Sequence, residues 1–355
     1  MPYLPYVTVE VDTGTWVTVS NVQDINVSSG RTKISDEWRP GTGTITGRRN
    51  DLLPTGIEIG TELRIRVGAQ GSTTSVISFR VSDVNLNYGI IASLDTWQIT
   101  IEDAFAYLGR NTINVSWANG TTTAAAFQAI CTESNLTGSV VVASSSTVSA
   151  QTITNSNAQD LMQTVLNTEQ GAVYADGTTL RFYGRNWQST VPNLNFTDTG
   201  AGANPIRYDQ VAFRSMADNY ADYVIVYPRG STEVVTGDGI YSYNLDSYSF
   251  DSGQALNLAQ YVKGVFAVQN STPNTVSLTL NEQSNMAFLD GIASPANVQL
   301  TLRGTVYNSI VLGYSISGDP SSLRFTFNLA SSDFFSFLTL DNTIYGTLDN
   351  NKLGY

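Results

Sequence analysis

The chain is 355 residues long, enough for two or three domains that each bury a core. Charged residues are only 14% of it, against roughly a quarter in an ordinary soluble protein, and 18 Lys and Arg face 30 Asp and Glu for a net charge of −12. That balance excludes general attraction to nucleic acid or anionic membrane; zero histidines exclude Ser-His-Asp and Cys-His catalysis and HExxH zinc sites, and one cysteine, Cys131, excludes an internal disulfide or a thiolate metal cluster.

The opening Met1-Pro2-Tyr3-Leu4-Pro5 has neither a basic nor an apolar region of the signal-peptide kind, so none is expected. The first hundred residues read as β: Tyr6 to Glu10, Thr15 to Ser20, Gly43 to Gly47, Glu62 to Val67, Val76 to Val84 and Thr96 to Ile101 are short, alternating or β-branched. Gly, Pro, Asn or Asp separates them, as in a small β-barrel. The longest break, Gly30 to Gly41, carries Arg31, Lys33, Asp36, Glu37 and Arg39, and predicts an exposed functional loop. With Arg48, Arg49, Arg64 and Arg66, the stretch Ser29 to Val67 holds seven of the eighteen basic residues.

From Glu102 the period changes. Glu102 to Leu108 predicts a turn or two of helix, and Ala-rich Thr122 to Thr132 a second helix that buries Cys131. Asn157 to Glu169 is the clearest helix, with Ala158, Leu161, Met162, Val165 and Leu166 on one face, Ser156 or Asn157 as cap and Gly171 at its end. A hairpin turning at Asp176-Gly177 follows. The run from Ser134 to Gln159 is uncharged but too rich in Ser and Thr to span a bilayer, so no membrane segment is predicted.

After a linker-like stretch, Ser189 to Pro205, strands return: Asp222 to Tyr227, the tyrosine-rich Tyr241 to Phe250, Thr275 to Leu280, Val298 to Arg303, Ser309 to Ser317 and Leu323 to Leu329. A helix, Ser252 to Ala267, interrupts them. The pattern divides the chain into a β-barrel domain at 1–104, a small α+β module at 105–188, a second β-barrel-like domain with one helix at 189–334, and a docking segment at 335–355. Three successive strands close each β region, and whether the second barrel is a duplicate of the first stays open on pattern alone.

No catalytic, metal or cofactor residue is predicted. Of the carboxylate pairs Asp36-Glu37, Glu102-Asp103 and Asp246 with Asp251, the first two are adjacent and point to opposite faces of a strand, and the pattern shows no helical, acid-bearing domain of the lysozyme kind, so glycoside hydrolysis is disfavoured. Gly41, Gly43 and Gly47 lack the order of a phosphate loop. Tyr241, Tyr243 and Tyr248 form a stripe suited either to glycan stacking or to a core or subunit interface. Arg48-Arg49 could touch DNA phosphates, but with acids interleaved the basic stretch reads better as contacts to a protein neighbour.

The run Gly30-Arg31, Asp36-Glu37-Trp38, Pro40-Gly41-Thr42-Gly43-Thr44, Leu53-Pro54 and Gly60-Thr61-Glu62-Leu63-Arg64-Ile65 resembles the first domain of bacteriophage tail hub and minor tail proteins. The middle, Asn157-Ala158-Gln159-Asp160-Leu161 through Thr168-Glu169-Gln170-Gly171 to Asp176-Gly177-Thr178-Thr179-Leu180-Arg181-Phe182, is similar to their next module. The end, Tyr345-Gly346-Thr347-Leu348-Asp349-Asn350-Asn351-Lys352-Leu353-Gly354-Tyr355, resembles their closing motif. The chain departs from the family at Gly47-Arg48-Arg49-Asn50, where Asn-Arg is usual.

The resemblance implies two tail-tube-like antiparallel β-barrel domains and a non-enzymatic virion protein without cofactors. It implies a homotrimeric hub of a tail tip or baseplate, with Arg31, Lys33, Asp36, Glu37, Arg39, Arg48 and Arg49 at the subunit interface. Implied partners are the tail tube or a distal tail protein, tip or fibre proteins and the tape measure protein. DNA would pass through an acidic lumen without specific binding. The other functional expectation is a tail protein that binds host-surface carbohydrate.

Overall fold

The computed structural model describes residues 5–50, 53–69, 75–187, 191–200, 204–213, 221–229, 232–266, 272–280 and 285–332. The expected docking segment at 335–355, with its closing motif, lies outside the described residues.

Seven strands come first: β1 (Pro5–Asp12), β2 (Trp16–Thr18), β3 (Val22–Gly30), β4 (Thr42–Arg48), β5 (Glu62–Ala69), β6 (Ser75–Asn87) and β7 (Thr96–Glu102). They pair antiparallel in the order β3-β4-β7-β6-β5-β1-β2. Alternation sends Val9, Val11, Ile25, Val27, Ile45, Leu63, Ile65, Phe79, Val81, Trp97, Ile99 and Ile101 to one buried face. On the other face Glu10 accepts from its cross-strand neighbour Arg64 at 2.5 Å and from Arg66 at 3.3 Å. The strand β3 is missing from the pattern reading, because a bulge between Val22 and Asp24 breaks its period.

The middle of the chain contributes α1 (Ala104–Leu108), β8 (Thr112–Trp117), β9 (Thr121–Thr122), α2 (Thr123–Glu133), β10 (Thr137–Val142), β11 (Thr147–Val148), β12 (Gln151–Asn157), α3 (Ala158–Glu169), β13 (Ala172–Asp176) and β14 (Thr179–Tyr183). The predicted face of α3 is buried. Asn157 caps it, accepting from the N–H groups of Gln159 and Asp160, and the left-handed residue at its end is Gln170 rather than Gly171. Cys131 is buried on α2, and burial pushes its thiol up to about 12.

The remainder forms β15 (Asn193–Thr197), β16 (Pro205–Ile206), β17 (Gln210–Phe213), β18 (Tyr223–Pro228), β19 (Val234–Gly237), β20 (Ser242–Ser247), α4 (Ser252–Phe266), β21 (Pro273–Thr279), α5 (Asp290–Ala293), β22 (Asn297–Leu302), β23 (Thr305–Gly318) and β24 (Arg324–Ser331). Seven of these strands pair as β16-β15-β22-β23-β24-β21-β17. The pairs of β15 with β16 and β22 are parallel, and the others are antiparallel. By contrast, β18, β19 and β20 form a separate sheet. With α4 they bury Val224, Val226, Leu245, Ala255, Leu258 and Val262 in the same core as Phe127, Leu161 and Phe182. Chain order therefore groups α4 with the second β region, while packing groups it with the α+β module.

The two seven-stranded halves are one fourteen-stranded sheet, joined at β23. One edge of β23 is occupied first by β22, against Thr305 to Ile310, and then by β3, against Gly313 to Gly318. Its other edge carries β24, with a register shift between Val311 and Gly313. At the seam Gly30, in the left-handed region, faces Gly313, and a Cβ on Gly30 would lie 2.6 Å from the Gly313 Cα. Among the described residues no strand pairing closes either half into a barrel. The chain is mainly β with an α+β module, each half an open sheet over a shared interior.

Candidate functional site

The loop between β3 and β4 is bound to the rest of the chain, where the pattern predicts an exposed connector. Ile34 and Trp38 enter the core of the α+β module. The Trp38 indole Nε1 donates to the Gly171 carbonyl at 3.1 Å, and its backbone N–H donates to Gln163 Oε1 at 3.2 Å. Its ring stands edge-on to Tyr174 at 5.7 Å. At the loop's end, Asp103 accepts from Gly41 N at 2.6 Å and from Ala106 N at 2.9 Å, so one carboxylate anchors the loop and caps α1. Burial pushes Asp103 up to about 7, opposed by those backbone N–H bonds. The loop fastens the first half to the module as a clamp.

The charged residues of this loop divide accordingly. Arg31 is 8% exposed and its guanidinium lies over the Trp38 ring at 4.6 Å, so it faces the interior of its own chain. Burial lowers its pKa to about 10. Asp36 accepts from Thr32 and pairs with Lys33 at 3.9 Å and Arg39 at 4.0 Å. Glu37 and Arg39 remain on the surface.

Arg48 and Arg49 lie elsewhere. They sit at the opposite end of β4, about 20 Å away at ~3.3 Å per residue, so the candidate interface residues form two sites rather than one, while Arg64 and Arg66 pair with Glu10 on β1. Arg48 Nε donates to Gln23 at 3.1 Å, and the Arg49 N–H donates to the Asp95 carbonyl at 2.9 Å. Beside them the β6–β7 connection exposes Tyr88, Ile90, Ile91 and Leu94, with Ile90 at 99%. The sequence reading missed this apolar tip. Its signal is the pair Ile90-Ile91 placed directly after Gly89, where a connection ordinarily carries polar residues.

The three tyrosines are not brought together as a platform. Tyr248 is fully buried, edge-on to Trp117 at 5.3 Å, with the Arg229 guanidinium 5.2 Å from its ring. Tyr243 is half-buried and its hydroxyl donates to the Ser35 carbonyl of the clamp loop at 3.4 Å. Only Tyr241 is exposed.

The acids considered for catalysis have structural partners or stand apart. Glu102 pairs with Arg110 at 2.5 Å, Asp103 caps α1, and Asp251 accepts from Gln254 N at 2.8 Å. Among the described residues no group of three or more Cys, Asp or Glu could hold a metal ion, and no helix is long and apolar enough to cross a membrane.

Between the clamp loop, the end of α3 and strand β20 lies a cavity of about 280 Å³, lined in part by Arg31, Ser35, Glu37, Gln170, Tyr243 and Asp246.

No protein-family model matches the chain, and no curated protein matches it significantly. Solved structures do. A tail protein from Neisseria meningitidis is 12% identical with a TM-score of 0.64, covering 94% of this chain and 98% of its own. The 43 kDa tail protein of prophage MuSo2 from Shewanella oneidensis is 12% identical with a TM-score of 0.60, covering 93% and 99%. An E. coli component of the type VI secretion system, itself structurally similar to the T4 bacteriophage tail proteins gp27 and gp5, is 9% identical with a TM-score of 0.54, covering 88% and 73%. The chain has the fold of phage tail proteins.

Proposed function

We propose that this chain is a structural virion protein, the homotrimeric hub of a phage tail tip or baseplate, which joins a sixfold tail tube to distal tip proteins. One observation carries the reading: two seven-stranded halves are fused edge to edge within one chain, so three copies present six sheet units to a sixfold neighbour. The tail proteins that share the fold along nearly their whole length support it. The tape measure protein and tip or fibre proteins are the further partners. The acidic chain suits a lumen through which DNA slides. No step of chemistry is assigned to it.

The assembly contact in this proposal is the patch at the end of β4, where Arg48 and Arg49 adjoin the exposed apolar tip of Tyr88, Ile90, Ile91 and Leu94. Mass photometry and light scattering of the full chain test it. A trimer is expected, and Ile90→Asp with Ile91→Asp, or Arg48→Glu with Arg49→Glu, should lower the trimer fraction while the melting temperature holds. A stable monomer at high concentration would overturn the hub reading. A trimer indifferent to both pairs of substitutions would move the contact elsewhere.

A further inference from the structure

The cavity behind the clamp loop is built around an unpaired cation. Arg31 is more than nine-tenths buried, yet among the described residues its guanidinium has no ion pair and no hydrogen-bond acceptor; the Trp38 ring lies beneath it and the Asp36 charge acts on it from beyond ion-pair distance. The Arg31 Nε and the Ser35 hydroxyl oxygen are sealed away without a partner, so the guanidinium meets the cavity through its terminal nitrogens. A buried cation is ordinarily paired, and a guanidinium without an acceptor in the wall of a cavity points to a missing partner. The acid that could have served Arg31, Asp36, is engaged by Thr32, Lys33 and Arg39.

The rest of the lining narrows the chemistry of that partner. Glu37 and Asp246 bring acceptors, and Gln170 brings an amide that both donates and accepts. Tyr243 places an aromatic ring in the wall. A free anion would meet Arg31 together with three carboxylates, counting Asp36, and be repelled. A simple cation would satisfy the acids and leave Arg31 without an acceptor. A ligand whose groups donate and accept at once, and which carries no charge, answers both.

We infer that this cavity is a binding site for a neutral saccharide, whose hydroxyl oxygens accept from Arg31 while its hydroxyl hydrogens are donated to Glu37 and Asp246. The aromatic ring of Tyr243 offers a surface for the apolar face of the sugar. At about 280 Å³ the space is near the lower end of small-ligand pockets and suits one ring rather than a long chain. The site lies apart from the patch at Arg48 and does not depend on the oligomeric state.

The test is a titration of the full chain with glucose, galactose, N-acetylglucosamine and their disaccharides, followed by saturation-transfer NMR and intrinsic fluorescence. Sodium sulfate and a trilysine peptide serve as the competing chemistries. Saturable binding of at least one neutral saccharide is expected, weakened about ten- to a hundredfold by Arg31→Met, the range for a lost hydrogen bond to a charged group. Because Arg31 is buried, Asp246→Asn is the second variant: it leaves the core intact and should weaken the same saccharide. Ile59→Ser, an exposed residue outside the cavity lining, should leave it unchanged. Absence of saturation by every saccharide would overturn the assignment. So would saccharide binding indifferent to both Arg31→Met and Asp246→Asn, or saturation by sulfate or trilysine alone.

Discussion

Asp103 ties three pieces of chain together: its carboxylate accepts from Gly41 and Ala106, its N–H donates to the Gly41 carbonyl at 2.8 Å, and its charge is felt by Tyr314 on β23. Its folded pKa of about 7 lies above the ~3.9 of an unfolded aspartate. The protonated form is therefore favoured by folding. The stability this gives is complete below about pH 4 and is lost as pH rises through about 7. The difference has a ceiling of about 4 kcal/mol, from three pKa units at ~1.4 kcal/mol each. Asp103→Asn should be less stable than the parent at pH 4, having lost one of two accepted bonds, and should lack the decline between pH 4 and 7. Urea unfolding across that range, comparing the two proteins, isolates the effect from the other carboxylates. Parallel pH profiles would sink the assignment. Nothing in the sequence marks Asp103 apart from its neighbour Glu102: both are buried, and only the fold gives Glu102 an arginine and Asp103 backbone N–H groups alone.

At the scale of elements, legibility followed period. Helix α3 and the hairpin of β13 and β14 are readable because one apolar face and one Asp-Gly turn suffice to define them. The strand β3 is not, because its bulge shifts Ile25 and Val27 out of phase with Val22. The clamp loop was legible as a loop and misread as exposed: Ile34 and Trp38 look like isolated apolar residues among charges, and only the module across from them makes them anchors. The tyrosine stripe fails for a related reason. Tyr248 lies beyond the end of β20, so strand alternation no longer governs where it points. The seam between β3 and β23 carries its own prediction. Any side chain on Gly313 would meet the Ser29 carbonyl at 2.5 Å and the Arg31 backbone at 2.8 Å, atoms that cannot move aside without parting the strands. Gly313→Val should lower stability by about 3 kcal/mol, the upper range of overpacking. Its urea transition should split as the halves lose their common ladder, and a single transition at the parent midpoint would refute that account.

For the whole molecule, the alternation of strand-rich and helix-bearing stretches was written in the sequence. The fusion of the β regions was not, because pairing Ile25 to Gly30 with Gly313 to Gly318 leaves no local trace. Charge at this scale predicts that the chain, net −12, leaves duplex DNA unretarded in a mobility-shift assay even at about 50 mM salt, where phosphate contacts are strong. Retardation would contradict passage of DNA without binding. The shared strand also sets an order of events during synthesis. When the first half leaves the ribosome, β3 has β4 on one side and an open row of backbone donors and acceptors on the other. Its partner is made only when residues 313 to 318 emerge, after the whole module and most of the second half. Until then the nascent chain carries a bare edge, the template on which strands of different molecules pair wrongly. The joint that holds the finished halves together is thus the point where the unfinished chain is most exposed to aggregation.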